Sequence, residues 1–137
     1  IFLSPYDVHY QRSPISGTVT EITYHSSPNL SMGDMFVRNL FRLDRRYANS
    51  PHVYTNERNV VRIEGENITA FVVQIADQQV NKIDCSVRVG DSVTAGDKIG
   101  MIRRGSQVDL FIPGLSPEDF PDLRPGIKVH AGSTTLL

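Results

Sequence analysis

The sequence predicts a mainly β single domain with few short helices. Three observations carry this. Runs rich in β-branched residues recur between turn-forming residues. The nearly unbroken apolar run Ile68 to Ala76 has the length of a buried strand. The pattern G-x-x-V-x-A-G appears at Gly90 to Gly96 and again at Gly126 to Gly132. Glycines at both ends of a short hydrophobic step suit tight turns where a strand changes sheets. Two such copies imply a compact fold with pseudo-symmetric halves, of the barrel-sandwich hybrid kind found in biotinyl and lipoyl carriers.

The elements follow in order. Residues 1–14 open with an apolar run broken by Pro5, then carry Asp7, His9 and Arg12 in a backbone restricted by Pro5 and Pro14. Thr18 to Tyr24 reads as a strand, and His25 to Asn29 as a loop. Ser31 with Asp34 resembles a helix start. Met32, Met35, Phe36, Leu40, Leu43 and Tyr47 follow at near-helical spacing, with Arg38, Arg42, Arg45 and Arg46 on other faces. Two readings stand: a basic amphipathic helix lying on an anionic membrane, or a core-facing helix or irregular segment with solvated arginines. Asn49-Ser50-Pro51 reads as a break, and Asn56-Glu57-Arg58-Asn59 as a polar turn with a surface ion pair. Val60 to Glu64 is a strand, Gly65-Glu66-Asn67 a hairpin turn, Ile68 to Ala76 the central buried strand, and Lys82 to Val87 another short one.

Composition narrows the function. The 137 residues suit one core, and 39% hydrophobic with 21% charged residues argues against disorder. A net charge of −1 argues against nucleic acid as the main partner. The lone Cys85 can form no internal disulfide and lacks the companions of a structural zinc site, so no metal is expected. No apolar run approaches the roughly 20 residues needed to span a bilayer. The chain begins at Ile1 without methionine, so a fragment or a processed product is expected.

Chemistry is most concentrated at Gly105-Ser106, in the stretch Met101 to Pro113, which reads as a strand, a break at Gly105 and a second strand. One reading is a β-bulge. The other is a serine able to attack the unshielded glycine carbonyl before it. His9 is similarly either a half-buried histidine with a structural hydrogen bond or a functional group.

Taken together, the chain resembles the phosphatidylserine decarboxylase family along nearly its whole length. Phe2-Leu3-Ser4-Pro5-x-Asp7-x-His9 is similar to the family's first motif. Gly33-Asp34-Met35-Phe36 and Asn56-Glu57-Arg58 resemble its middle motifs, and Val73-Gln74-Ile75-Ala76 its central strand. Gly100-Met101-Ile102-x-x-Gly105-Ser106-x-Val108-Asp109 resembles its self-cleavage segment.

The resemblance implies a pyruvoyl enzyme in one catalytic domain, 1–137. Cleavage between Gly105 and Ser106 would give a larger fragment, 1–105, and a smaller one, 106–137. Ser106 would become the pyruvoyl group, with no metal required, and its ketone would capture the substrate amine while carbon dioxide departs. His9 is the implied acid that protonates the carbanion. Asp7, Arg12, Asn56, Glu57 and Arg58 are implied to bind substrate, to support the site or to meet a partner subunit. The implied partners are phosphatidylserine, an anionic membrane surface and further copies of the chain, a dimer in the simplest case, with no nucleic acid. The implied location is peripheral, on the cytoplasmic face of a membrane.

Two departures qualify the resemblance. Arg12 stands where longer members carry a second histidine, and arginine is a poor base. The family's serine-activating aspartate lies upstream of the first motif, outside this sequence, so this stretch alone is expected to cleave slowly or not at all. Ala131-Gly132-Ser133-Thr134 resembles the cleavage tetrapeptide by eye, yet a cut there would release only residues 133–137. Three other readings are the same chemistry on a small amino acid, a carrier-like barrel module, and a member that has lost catalysis. Lys98 and Lys128 lie near the repeat copies but are not flanked as carrier lysines would be.

Overall fold

The computed structural model describes residues 1–41, 50–78, 80, 83–103, 105–120, 122–124 and 126–135. The expected helical stretch therefore runs partly outside the described residues, taking Arg42, Leu43, Arg45, Arg46 and Tyr47 with it.

The strands are β1 (Phe2–Leu3), β2 (Tyr10–Arg12), β3 (Gly17–His25), β4 (Arg58–Glu64), β5 (Thr69–Ala76), β6 (Ile83–Cys85), β7 (Ser92–Val93), β8 (Lys98–Ile102) and β9 (Ser106–Phe111). Two short helices, α1 (Gly33–Leu40) and α2 (Pro51–Thr55), lie between β3 and β4. The mainly β expectation is met. Six strands form a curled sheet in the order β1-β9-β5-β4-β3-β7, and three form a second sheet, β2-β8-β6. All the pairings are antiparallel.

β5 is central, between β9 and β4. Its first half alternates: Ala70 and Val72 are buried while Thr69, Phe71 and Val73 are half-buried. Only its last three residues, Gln74, Ile75 and Ala76, are buried in succession. The Gly65 N–H donates to the Ile68 carbonyl at 2.8 Å and closes the β4–β5 turn. β4 begins at Arg58, two residues earlier than its apolar pattern suggests, because Asn59 is buried there despite its polarity.

The main core packs Ile15, Val19, Val61, Ile63, Ala70, Val72, Val93 and Ile99. A second cluster joins Ala76, Val80, Ile83 and Ile102, and a third sets Met32 and Met35 against Ile75. A buried amide chain ties the two sheets. Asn59 Nδ2 donates to Gln74 Oε1 at 2.9 Å, Gln74 Nε2 to Gln11 Oε1 at 2.7 Å, and Gln11 Nε2 to the His9 carbonyl at 2.8 Å. Each amide satisfies the next, which offsets the cost of burying them. α1 has one core-facing side, as one of the two readings expects, and one exposed side. Met35, with Met32 just before it, faces the core, whereas Phe36, Val37, Leu40 and the following Phe41 are exposed. α2 was not expected from the sequence; Pro51 stands at its first turn, where proline is well suited.

The repeat copies differ in structure. Gly90 to Gly96 contains β7, flanked by positive-φ turns at Gly90 and Gly96, whereas residues 126–132 form turns and irregular backbone. Arg12 bridges the two copies. Its Nη1 donates to the Gly96 carbonyl at 2.6 Å, and its side chain lies against Gly132.

The amide chain leaves no room at Gly100. A Cβ there would stand 2.6 Å from both the Asp84 carbonyl and Gln74 Nε2. Gly100→Ala is therefore expected to lower stability by about 1–3 kcal/mol, read from urea unfolding. A midpoint equal to that of the parent would show that the sheets can separate more freely than this packing implies.

Candidate active site at the start of strand β9

Ser106 opens β9 and is held on both sides. Its backbone pairs with Ala76 of β5 and with Leu3 of β1. The residue is fully buried, and its Oγ has no hydrogen-bond partner. A hydroxyl left unsatisfied in a protein interior is costly, so its presence calls for a reason. Gly105, just before it, has φ +20°. A side chain there would meet the Asp77 carboxylate, whose Oδ2 lies 3.1 Å from the Cβ position.

Cross-strand neighbours share a face. Ser106 therefore faces the same side as Ala76, which packs in one cluster with Ile102 of β8. The Ile102 N–H donates to the His9 carbonyl at 3.3 Å. The strand carrying Ser106 and the segment carrying His9 are thus linked through Ala76 and Ile102. His9 Nδ1 lies 2.6 Å from the Asp7 carbonyl. A carbonyl only accepts, so Nδ1 carries a proton. That leaves Nε2 of the neutral ring as the free basic nitrogen, and it is buried with no partner. Asp7 acts through its backbone on His9, while its Oδ2 accepts from the Ser4 N–H at 2.8 Å and closes the turn.

Asn56 and Glu57 reach the same register from the other side of β5. Asn56 is fully buried; its Nδ2 donates to the Ala76 and Leu30 carbonyls at 2.8 Å each, and its Oδ1 accepts from the Leu30 N–H at 2.8 Å. The Glu57 carbonyl accepts from the Ala76 N–H at 3.0 Å. Both residues thereby fix Ala76, the residue opposite Ser106. The Glu57 carboxylate accepts a hydrogen bond from the Tyr24 hydroxyl. The Tyr24 phenol is pushed up to about 12 by partial burial and then by the Glu57 bond and charge.

The sequence suggests an ion pair between Glu57 and Arg58, but their partners differ. Arg58 Nη1 donates to the carbonyls of Tyr54 at 3.1 Å and Asn56 at 3.5 Å, so it caps the end of α2. Arg12 is likewise engaged elsewhere, with the Gly96 carbonyl and against Gly132. Ser133, in the alternative tetrapeptide, is exposed in a turn.

Two residues escaped the sequence reading. His52 is buried in α2, and its Nε2 lies 2.9 Å from Gln107 Oε1. Gln107 Nε2 donates to both carboxylate oxygens of Asp109, at 2.8 and 3.1 Å. Gln107 pairs with Ile75 rather than Ala76, so this chain lies on the opposite face of β9 from Ser106. The signal available was weak: a histidine just inside a Ser-Pro helix start. In the sequence Asp77 is one polar residue after an apolar run, and no local pattern marks it. Among the described residues no group of three or more His, Cys, Asp or Glu side chains is placed to hold a metal ion.

Comparison with known proteins gives these residues a context. The family model for phosphatidylserine decarboxylase matches residues 1–137. Phosphatidylserine decarboxylase proenzymes from Saccharopolyspora erythraea and Nocardia farcinica are 37% and 38% identical to the chain, covering 99% of it and 50% of each relative. The corresponding Mycobacterium leprae proenzyme is 36% identical over 99% of the chain and 49% of its own length. The chain thus spans about half the length of the curated relatives it matches. No solved structure matches it. With the whole described fold inside the matched region, the chain belongs to the phosphatidylserine decarboxylase family.

Proposed function

We propose that the full-length protein converts phosphatidylserine to phosphatidylethanolamine with a pyruvoyl group that it makes from its own Ser106. The observation that supports this most is the pairing of a positive-φ glycine with a buried, unpartnered serine hydroxyl, in a chain whose relatives are named proenzymes. This arrangement fits the precursor of such a group. The hydroxyl has no competing hydrogen bond, and Gly105 carries no side chain to screen its carbonyl.

In the proposed self-cleavage, Ser106 Oγ adds to the Gly105 carbonyl carbon, the peptide C–N bond breaks, and the nitrogen takes up a proton. An ester joins the two parts. Pairing of Ser106 with both β1 and β5 holds the attacking and attacked groups in one place, and such proximity can contribute roughly 7–11 kcal/mol toward a barrier. The products are fragments 1–105 and 106–137. The pyruvoyl group supplies a ketone that captures the substrate amine and withdraws electrons as carbon dioxide leaves. His9 is assigned the proton transfer, because its Nε2 is free while Nδ1 is fixed by Asp7. Asn56 and Glu57 are assigned support of the strand opposite Ser106, and Arg12 and Arg58 support of the surrounding turns.

The exposed Phe36, Val37, Leu40 (64% exposed) and Phe41 (67% exposed) support docking at a membrane surface. Arg38 is already engaged with Asp34 at 3.8 Å, so attraction to anionic lipid would fall to other basic residues. Among the described residues no helix is long and apolar enough to cross a membrane. The reading is a peripheral enzyme on the cytoplasmic face, assembled from copies of itself.

Intact mass of the full-length protein tests the central claim. The parent is expected as two fragments cut between 105 and 106, with the smaller one reducible by borohydride in the presence of an amine. Ser106→Ala is expected to remain one inactive chain. Activity from an uncut chain would overturn the mechanism, and a new amino terminus at residue 133 would move it to the other tetrapeptide. His9→Gln should lower decarboxylation by about 10²–10⁴-fold, the range of general acid–base catalysis, in protein that already carries the pyruvoyl group. Full turnover in that variant would remove His9 from the chemistry. Activity on phosphatidylserine vesicles with none on free amino acids separates the lipid substrate from a small one.

A further inference from the structure

We infer that Asp77 is a built-in charge that drives the two ends apart once the Gly105–Ser106 bond is cut; the inference rests on the cleavage reading above. β5 and β9 pair as far as Ala76 and Ser106, and Asp77 and Gly105 stand one step beyond that last pair. The Asp77 carboxylate is anchored. Its Oδ1 accepts from the Met32 N–H at 2.8 Å and the Gln78 N–H at 2.7 Å. Its Oδ2 is turned toward Gly105, 3.1 Å from the Cβ position. Before cleavage Gly105 is a neutral peptide unit and the contact carries no repulsion.

Cleavage changes that charge. In the ester, the Cα proton of residue 106 is removed by a base and the Cβ–Oγ bond breaks. The oxygen leaves with Gly105, which becomes a carboxylate; residue 106 is left as a dehydroalanine. Tautomerisation and water then release ammonia and leave the ketone. The new carboxylate is one bond from the glycine Cα that Asp77 faces. Two carboxylates brought together at a half-buried position repel, and the repulsion is strong where water screens little. Opening is needed, because residue 106 is fully buried in the uncut chain and no substrate amine can reach it there.

The experiment compares the full-length parent with Asp77→Asn and Asp77→Glu. Asparagine keeps the shape and can still accept from Met32 and Gln78, so a purely structural role would be rescued by it; glutamate keeps the charge. Intact mass follows cleavage, hydrogen exchange follows peptides on either side of the cut, and phenylhydrazine trapping follows access to the ketone. Asp77→Asn is expected to cleave, but to exchange and trap at least about tenfold more slowly than the parent, with Asp77→Glu closer to the parent. Parent-like exchange and trapping in Asp77→Asn would overturn the inference. So would failure of that variant to cleave, since Asp77 would then act before the cut. A full-length parent that never cleaves between 105 and 106 would instead sink the cleavage reading itself.

Discussion

The register of β9 on β5 is the constraint on which the rest of the site depends. Because Ser106 stands opposite Ala76, a single slip would send its hydroxyl to the helix-bearing face and Gln107 inward. That register is secured from several directions. Asn56 donates to the Ala76 carbonyl, Glu57 accepts from the Ala76 N–H, and β1 pairs on the far edge of β9. The middle motif Asn56-Glu57-Arg58 thus works on the backbone of the neighbouring strand. Its carboxylate turns to Tyr24 and its guanidinium to the end of α2. A polar cluster at a strand entrance here acts as a clamp on Ala76, with the proposed reacting residue one strand away.

The buried amide chain from Asn59 through Gln74 and Gln11 serves a related end. It crosses from the large sheet to the small one and terminates on the carbonyl of His9. An apolar interior at these positions would pack as well but would leave that carbonyl without its donor from Gln11. With three amides in line, the spacing of the sheets and the position of the His9 backbone are set together. The cost of burying amides is offset only while all of them are satisfied. Gly100, against the Gln74 amide, must therefore remain without a side chain.

Much of this was legible from residue patterns. The apolar run Ile68 to Ala76 and the Gly65-Glu66-Asn67 turn located β5 and the end of β4, while the alternation of burial along both strands emerged only in the structure. The glycine before Ser106 pointed to an exceptional backbone, and φ is positive there. Partnerships between distant side chains were not legible. His52 meets Gln107, and Asp77 meets Gly105, through strand register that no local pattern encodes. The repeat was legible as letters but misleading as structure: only the first copy contains a strand, while the second folds as turns against Arg12. α2 was hidden because five residues are too few for a helical period to emerge.

The two faces of β9 are specialised differently. Toward the helices, Gln107 is saturated by His52 and Asp109 and holds the strand in place. Toward the second sheet, Ser106 has a hydroxyl with nothing to bond. A strand fixed on one face can carry an unsatisfied group on the other without rotating to relieve it. The same fixation that would ready Ser106 for the proposed attack also buries it away from any outside molecule. In the proposed reaction, attack and substrate capture would therefore require two arrangements of one strand end. On that reading the uncut bond maintains the first, and the charge that cutting would create favours the second.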